Sequence, residues 1–224
     1  MGIVGYLLIG FACMILLSLI RNRYYNLKIR EIVVFMLLLV ITGVIGTAVL
    51  FYIENGHWGG TSFFGSIFLI PIVFTIISKT FKITYGKMMD ICAVPICAML
   101  AVMKVRCVVG GCCSGSSIVL RDGSSFVFPS QIAEMIVILL IMIKLISWEV
   151  KGLNKDILYP LFLIMYGVTR FVLNFFRANL SPFVWILPPG HFWSIVAVIG
   201  GLIVAFWYLN KKEREENVLH IKQE

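Results

Sequence analysis

The chain has 224 residues, 60% of them hydrophobic and only 13% charged, with a mean hydropathy of +0.99. That balance excludes a separate soluble domain and places the protein in a membrane. The net charge of +8 is dispersed among short loops, so it reports orientation and contact with anionic lipid headgroups, and nucleic acid is not expected as a partner.

The first apolar stretch, GIVGYLLIGFACMILLSLI at about 2–20, has no basic segment before it and no small-residue cleavage site after it, and is expected to be a retained spanning helix. Six further windows follow at about 31–53, 63–78, 89–104, 131–148, 157–176 and 191–209. Each nears the roughly 20 residues that a spanning helix needs, the shorter ones with help from their flanks. Pro71, Pro95 and Pro160 each fall inside a predicted helix, where they either bend it or open a gap for acyl chains.

The gaps between the windows alternate in charge. Segments 21–30 (RNRYYNLKIR), 79–87 and 144–155, with the tail after Asn210, hold fourteen of the nineteen Lys and Arg residues. The positive-inside rule places them in the cytoplasm, and the amino terminus, 54–62, 105–130 and 177–190 outside. The expectation is an all-α integral membrane protein of seven transmembrane helices, with its N-terminus outside and its C-terminus cytoplasmic. A single transmembrane domain covers 1–210 and a charged cytoplasmic tail covers 211–224.

The remaining five cations, Lys104, Arg106, Arg121, Arg170 and Arg177, lie against this trend on the outward half. Arg170 is the sharpest, since a charge that deep costs a few kcal/mol or more unless satisfied. Tyr166, Arg170, Asn174 and Arg177 follow i, i+4, i+8, i+11 and share one helical face. The stripe is expected to point into the bundle, with Arg170 either paired to a buried acid such as Glu134 or holding an anion in its bidentate fork. Arg177 either joins it or snorkels to the interface. In KVRCVVGGCCSG at 104–115, Gly110, Gly111 and Gly115 either let the backbone approach a phosphate beside Lys104 and Arg106 or only turn the chain back.

Cys13, Cys92 and Cys97 lie in spanning windows and read as small hydrophobes, whereas Cys107, Cys112 and Cys113 sit in the outward segment. For these three, packing, a disulfide and a thiol activated by Lys104 and Arg106 all stay open. CxxxxCC without a nearby histidine or acid is a poor zinc pattern, and no metal is expected. His57 and His191 are the histidines near the outer face and either can accept a proton near neutral pH. A transporter is disfavoured, because no central chain of ionisable residues and no inverted repeat is visible.

Four segments in order resemble the prolipoprotein diacylglyceryl transferases of bacterial plasma membranes. They are WGGTSFFGSIF at 58–68, KVRCVVGGCCSG at 104–115, FPSQIAE at 128–134, and YGVTRFVLNFFR at 166–177 with GHFWSI at 190–195. The positions that match the family pattern are Gly111, Gly115, Pro129, Gln131, Glu134, Tyr166, Gly167, Arg170 and Arg177. Departures are Phe64 where the family has a histidine, Lys104 for an arginine, Cys107 for Asn, Cys112 for Glu, Asn174 for Glu and His191 for Gln. The GCCxG form is similar to a cysteine-bearing branch of the family.

The resemblance implies transfer of diacylglyceryl from phosphatidylglycerol to the cysteine thiol of a lipobox-bearing precursor protein, on the outward face of a bacterial plasma membrane, without a cofactor. Arg170 and Lys104 would act on the phosphate, with His191 or Cys112 taking the thiol's proton. Arg106, Arg177, Gly111, Gly115, Gln131, Glu134, Tyr166 and Asn174 would frame the lipid. The departures leave two alternatives, an inactive or repurposed relative that binds an anionic lipid or lipopeptide, and a transferase with another donor or acceptor.

Overall fold

A computed structural model describes residues 2–111, 115–119, 124–153, 156–177 and 187–221. All seven windows are helical, as α1 (Ile3–Arg21), α2 (Ile29–Asn55), α3 (Phe64–Phe81), α4 (Tyr85–Val109), α5 (Ser130–Val150), α6 (Leu158–Asn174) and α7 (Pro189–Ile221). Six are long and apolar enough to cross a membrane, and α6, with 17 residues, is shorter. At about 1.5 Å per residue, α6 is roughly 25 Å long, a little under the hydrocarbon thickness. It stops at Asn174, where the backbone passes into a turn through Phe175 and Phe176. Between α4 and α5 lies one element that the apolar pattern does not predict, an antiparallel hairpin of β1 (Ser117–Val119) and β2 (Ser125–Val127) with Ile118 opposite Phe126. Two three-residue strands carry too little alternation to be read from sequence.

Helix α4 is the axis of the bundle. Its residues from Met88 to Ala98 are buried on every side, the pattern of a helix that is apolar all round. Helices α1, α5 and α6 pack on it, while α2 pairs with α3 and α6 with α7. The large apolar side chains left on the outside, such as Leu8, Leu16, Ile45, Ile53 and Ile203, form a surface suited to lipid tails. Pro71 and Pro95 lie inside continuous helices. Pro160 interrupts nothing, because it occupies the first turn of α6, where an N–H has no intrahelical acceptor. Helix α7 runs on past residue 210, so the charged tail begins as helix.

At the end of the bundle opposite the hairpin, a buried polar cluster ties four helices. Arg21, the last residue of α1, donates from Nε and Nη2 to the two carboxylate oxygens of Glu149 on α5, each at 2.6 Å. The same guanidinium donates to the carbonyls of Ile91 at 3.1 Å and Asp90 at 3.0 Å on α4. Tyr25 donates its hydroxyl to Glu149 and accepts from Arg21. Asp90 in turn accepts from the backbone N–H groups of Asp156 at 2.6 Å and Leu158 at 3.0 Å, which caps α6. Charge counting alone assigns Arg21 to a loop, but it lies inside the protein.

Candidate functional site

Toward the hairpin end, the polar face of α6 meets α4 and α5. Glu134 on α5 receives the guanidinium of Arg170, the ammonium of Lys104 at 2.7 Å and the hydroxyl of Tyr166 at 3.0 Å. The side chains of Lys104, Arg170 and Glu134 are 13%, 11% and 4% exposed. The expected alternative partner of Arg170 is therefore its actual neighbour, and Lys104 joins from a third helix. Among the described ion pairs, one carboxylate faces two cations, so these three side chains together carry more positive than negative charge. An isolated buried ion pair balances itself, whereas these three side chains taken together do not.

Aromatic rings wall the group on the side of α3. Phe63 meets Tyr166 edge-on at 5.1 Å between centroids, and Phe162 stacks on it at 5.6 Å. Phe64 is buried 6.1 Å from the same ring, so where the family pattern carries an imidazole this protein carries a phenyl group beside Tyr166.

The loop after α4 is anchored at the same end. Gly111 takes a left-handed φ of 64° just past the end of α4, a helix stop that few other residues make at low cost. Gly115 then pairs with Arg177 in an antiparallel bridge and donates its N–H to the Phe128 carbonyl at 3.1 Å, while Ser116 donates to the carbonyl of Phe176 at 2.9 Å. A Cβ on Gly115 would lie 2.2 Å from the oxygen of Phe128, so only glycine fits between the start of α5 and the end of α6. Both glycines are thus accounted for by chain geometry.

The other expected residues divide clearly. Arg106 stands two residues beyond Lys104, half-buried, in no ion pair among the described residues. Arg177 is half-buried at the bridge, and Gln131 lies one turn before Glu134 on α5. Cys107 is half-buried on the turn after Lys104, while Cys112 and Cys113 lie outside the described residues. Asn174 is fully buried one turn after Arg170. His191 is set between the rings of Phe171 and Phe175, and no described contact joins it to the cationic group. His57 is an exposed loop residue against Phe51.

Sequence reasoning passes over Glu54, which lies half-buried in the last turn of α2, accepts from the Ser62 hydroxyl at 2.7 Å and is approached by the Trp193 indole. It also passes over the Arg21, Glu149 and Asp90 cluster. The available signal for that cluster is Asp90, an acid at the start of an otherwise apolar window, which needs a partner to be buried.

Fold and site together define a polytopic membrane protein with a buried, cation-rich polar centre near one end of its helical bundle. Residues 2–207 match the prolipoprotein diacylglyceryl transferase family, and the chain belongs to it. It is similar to a protein of Clostridium tetani described as phosphatidylglycerol–prolipoprotein diacylglyceryl transferase, 26% identical over 129 residues, covering 53% of this chain and 52% of that one. It is also similar to the protein of Clostridium perfringens described as phosphatidylglycerol–prolipoprotein diacylglyceryl transferase 2, 22% identical over 233 residues, covering 93% and 90%. The aligned stretch thus spans about half the length of the first relative and most of the second.

Proposed function

We propose that the protein moves the diacylglyceryl group of phosphatidylglycerol to the lipobox cysteine of a precursor protein, on the outward side of the plasma membrane. The observation that carries this reading is the convergence of Lys104 and Arg170, from two helices, on the single carboxylate of Glu134 in a site screened from water. Such a group is arranged in advance to receive a phosphate diester and to hold the charge that grows on it.

In the reaction, the acceptor sulfur attacks the glycerol carbon of the diacylglyceryl group. A C–S bond forms, the C–O bond to phosphate breaks, and glycerol phosphate leaves with the electron pair. Arg170 is the residue for the phosphate, since its fork matches two oxygens, and Lys104 adds a point charge. Arg106 and Arg177 lie on the flanking segments to support them. Glu134, itself held by the Tyr166 hydroxyl, keeps the two cations in place.

The thiol must lose its proton. With Phe64 beside Tyr166 and Glu134 already holding three donors, a dedicated base beside the group is lacking among the described residues. A cationic field lowers a thiol's pKa, so the acceptor enters as thiolate and passes its proton to solvent. Acyl chains reach the site between helices, since two-tailed lipids leave hydrocarbon only at high cost.

Expression in cells depleted of their own diacylglyceryl transferase tests the activity, with mass spectrometry of lipoproteins as readout. Acquisition of the diacylglyceryl mass is the expected result. The burial of Phe64 against Tyr166 favours a second reading, a relative that binds anionic lipid without transfer, and lipid binding by the purified protein without any mass gain in lipoproteins would select it.

A further inference from the structure

Beyond the cationic group lies a polar pair that the phosphate does not use. Asn174, one turn past Arg170 on the same face of α6, is 0% exposed, and neither its amide nitrogen nor its oxygen has a hydrogen-bond partner among the described residues. His191, in the first turn of α7, is 4% exposed, and both its ring nitrogens are likewise unpartnered. The two belong to one locus. A Cβ on Gly190, next to His191, would lie 1.9 Å from the Asn174 amide nitrogen, so the asparagine rests against the first turn of α7. Phe171 and Phe175 meet the imidazole edge-on, with centroids at 5.1 and 4.6 Å, and fix its position.

Four buried polar atoms without partners among the described residues are a free-energy cost to the folded protein, which a ligand that pairs with them would offset. Their chemistry narrows the ligand. Phosphate oxygens only accept, so they would leave the Asn174 oxygen and the unprotonated ring nitrogen unmatched, and an ammonium only donates, leaving the amide N–H and ring N–H unmatched. A hydroxyl does both. Two adjacent hydroxyls present two donors and the acceptors that match one amide and one neutral imidazole.

We propose that Asn174 and His191 form a subsite for the vicinal diol of a glycerol phosphate head group whose phosphate sits at Arg170 and Lys104. His191 then recognises the hydroxyls of the glycerol phosphate that leaves, instead of deprotonating the thiol. The inference rests on the phosphate reading of the cationic centre. The ligand is a glycerol phosphate in either of two forms, the headgroup of a phospholipid or the free monoester.

The test uses the purified full chain in nanodiscs of zwitterionic lipid. Its affinity is measured for phosphatidylglycerol and for phosphatidylethanol, which has the same phosphate diester and charge but no head hydroxyl. Soluble glycerol phosphate and ethyl phosphate form a second pair. A preference for the diol of about tenfold or more is expected in the wild type. Greater preference in the lipid pair identifies the headgroup, and in the soluble pair the free monoester. In Asn174→Leu and His191→Phe the ratio of affinities should fall to near one, whereas Arg170→Ala should weaken both members of a pair equally. Thermal unfolding is followed in parallel. Asn174→Leu, which replaces orphaned polar atoms with apolar ones of similar shape, should melt no lower than the wild type, and His191→Phe serves if it does not fold. Wild-type binding with no diol preference, or a preference that survives both substitutions, overturns the subsite alone. Failure of the wild type to bind any of the four overturns the phosphate reading and the subsite with it.

Discussion

Arg170 and Lys104 depend on Glu134 more than it depends on either of them. Removing the carboxylate leaves two cations facing each other out of water, and breaking a buried pair in this way costs about 3–5 kcal/mol. Removing Arg170 leaves a balanced Lys104–Glu134 pair. Glu134→Ala is therefore expected to lower the unfolding temperature in detergent much more than Arg170→Ala does. Lipid transfer in a reconstituted assay should order differently, with Arg170→Ala losing about a hundredfold or more in rate, the scale of a lost electrostatic donor. Arg170→Lys should recover only part of it, for want of the fork. Equal melting of the two alanine variants would show that the cations are not in surplus. The helical spacing of Tyr166, Arg170 and Asn174 made this face legible from sequence, because i, i+4 periodicity is a local property. That Asn174 and His191 lack partners was not legible, since being unpartnered depends on every element around a residue.

Among the elements, α1, α4, α5 and α6 are held by a cluster whose members stand 128 residues apart for Arg21 and Glu149 and 69 apart for Arg21 and Asp90. No periodicity links such positions, and a cation at a helix end reads as a topology marker, which is why the clamp was hidden while the seven helices were plain. Glu149→Ala should destabilise the bundle by about 3–5 kcal/mol, because the Arg21 guanidinium then remains buried without its carboxylate. Tyr25, which lies beyond the end of the first span, adds a pH dependence. Burial pushes its phenol well above the ordinary value, the Arg21 charge pulls the other way, and the hydrogen bond and charge of Glu149 push it further up. A phenol whose folded pKa is raised favours the folded state fully below its unfolded pKa of about 10, and that contribution is lost as pH rises beyond it. The gap in unfolding temperature between wild type and Tyr25→Phe should therefore be constant near neutrality and close above about pH 10. A gap independent of pH would mean that the phenol titrates normally. At the other end, Gly115→Ala should displace the α4–α5 loop from the end of α6, because its methyl group meets a carbonyl oxygen at 2.2 Å. Its expected signature is reduced transfer with a smaller change in melting than Glu134→Ala causes.

For the whole molecule, the two polar clusters occupy opposite ends of one bundle, and orientation decides what each can meet. The clamp end carries the loops with Arg23, Lys28, Lys82, Lys87 and Lys151; in the orientation proposed above from the positive-inside rule, that end lies in the cytoplasm and the cation-rich centre would face the other side. The reason is thermodynamic as well as statistical, since juxtamembrane Lys and Arg near anionic cytoplasmic lipid each contribute about 1 kcal/mol. Helix α7 begins at the hairpin end and leaves the bundle at the clamp end, so the carboxyl terminus reports the orientation directly. Green fluorescent protein fused after residue 224 should fluoresce, and alkaline phosphatase fused there should be inactive. The reverse pattern would put Arg170, Lys104 and Glu134 on the cytoplasmic side, away from the thiol of an exported precursor. The transfer proposed here would then have no acceptor, even with every contact in the cationic centre intact.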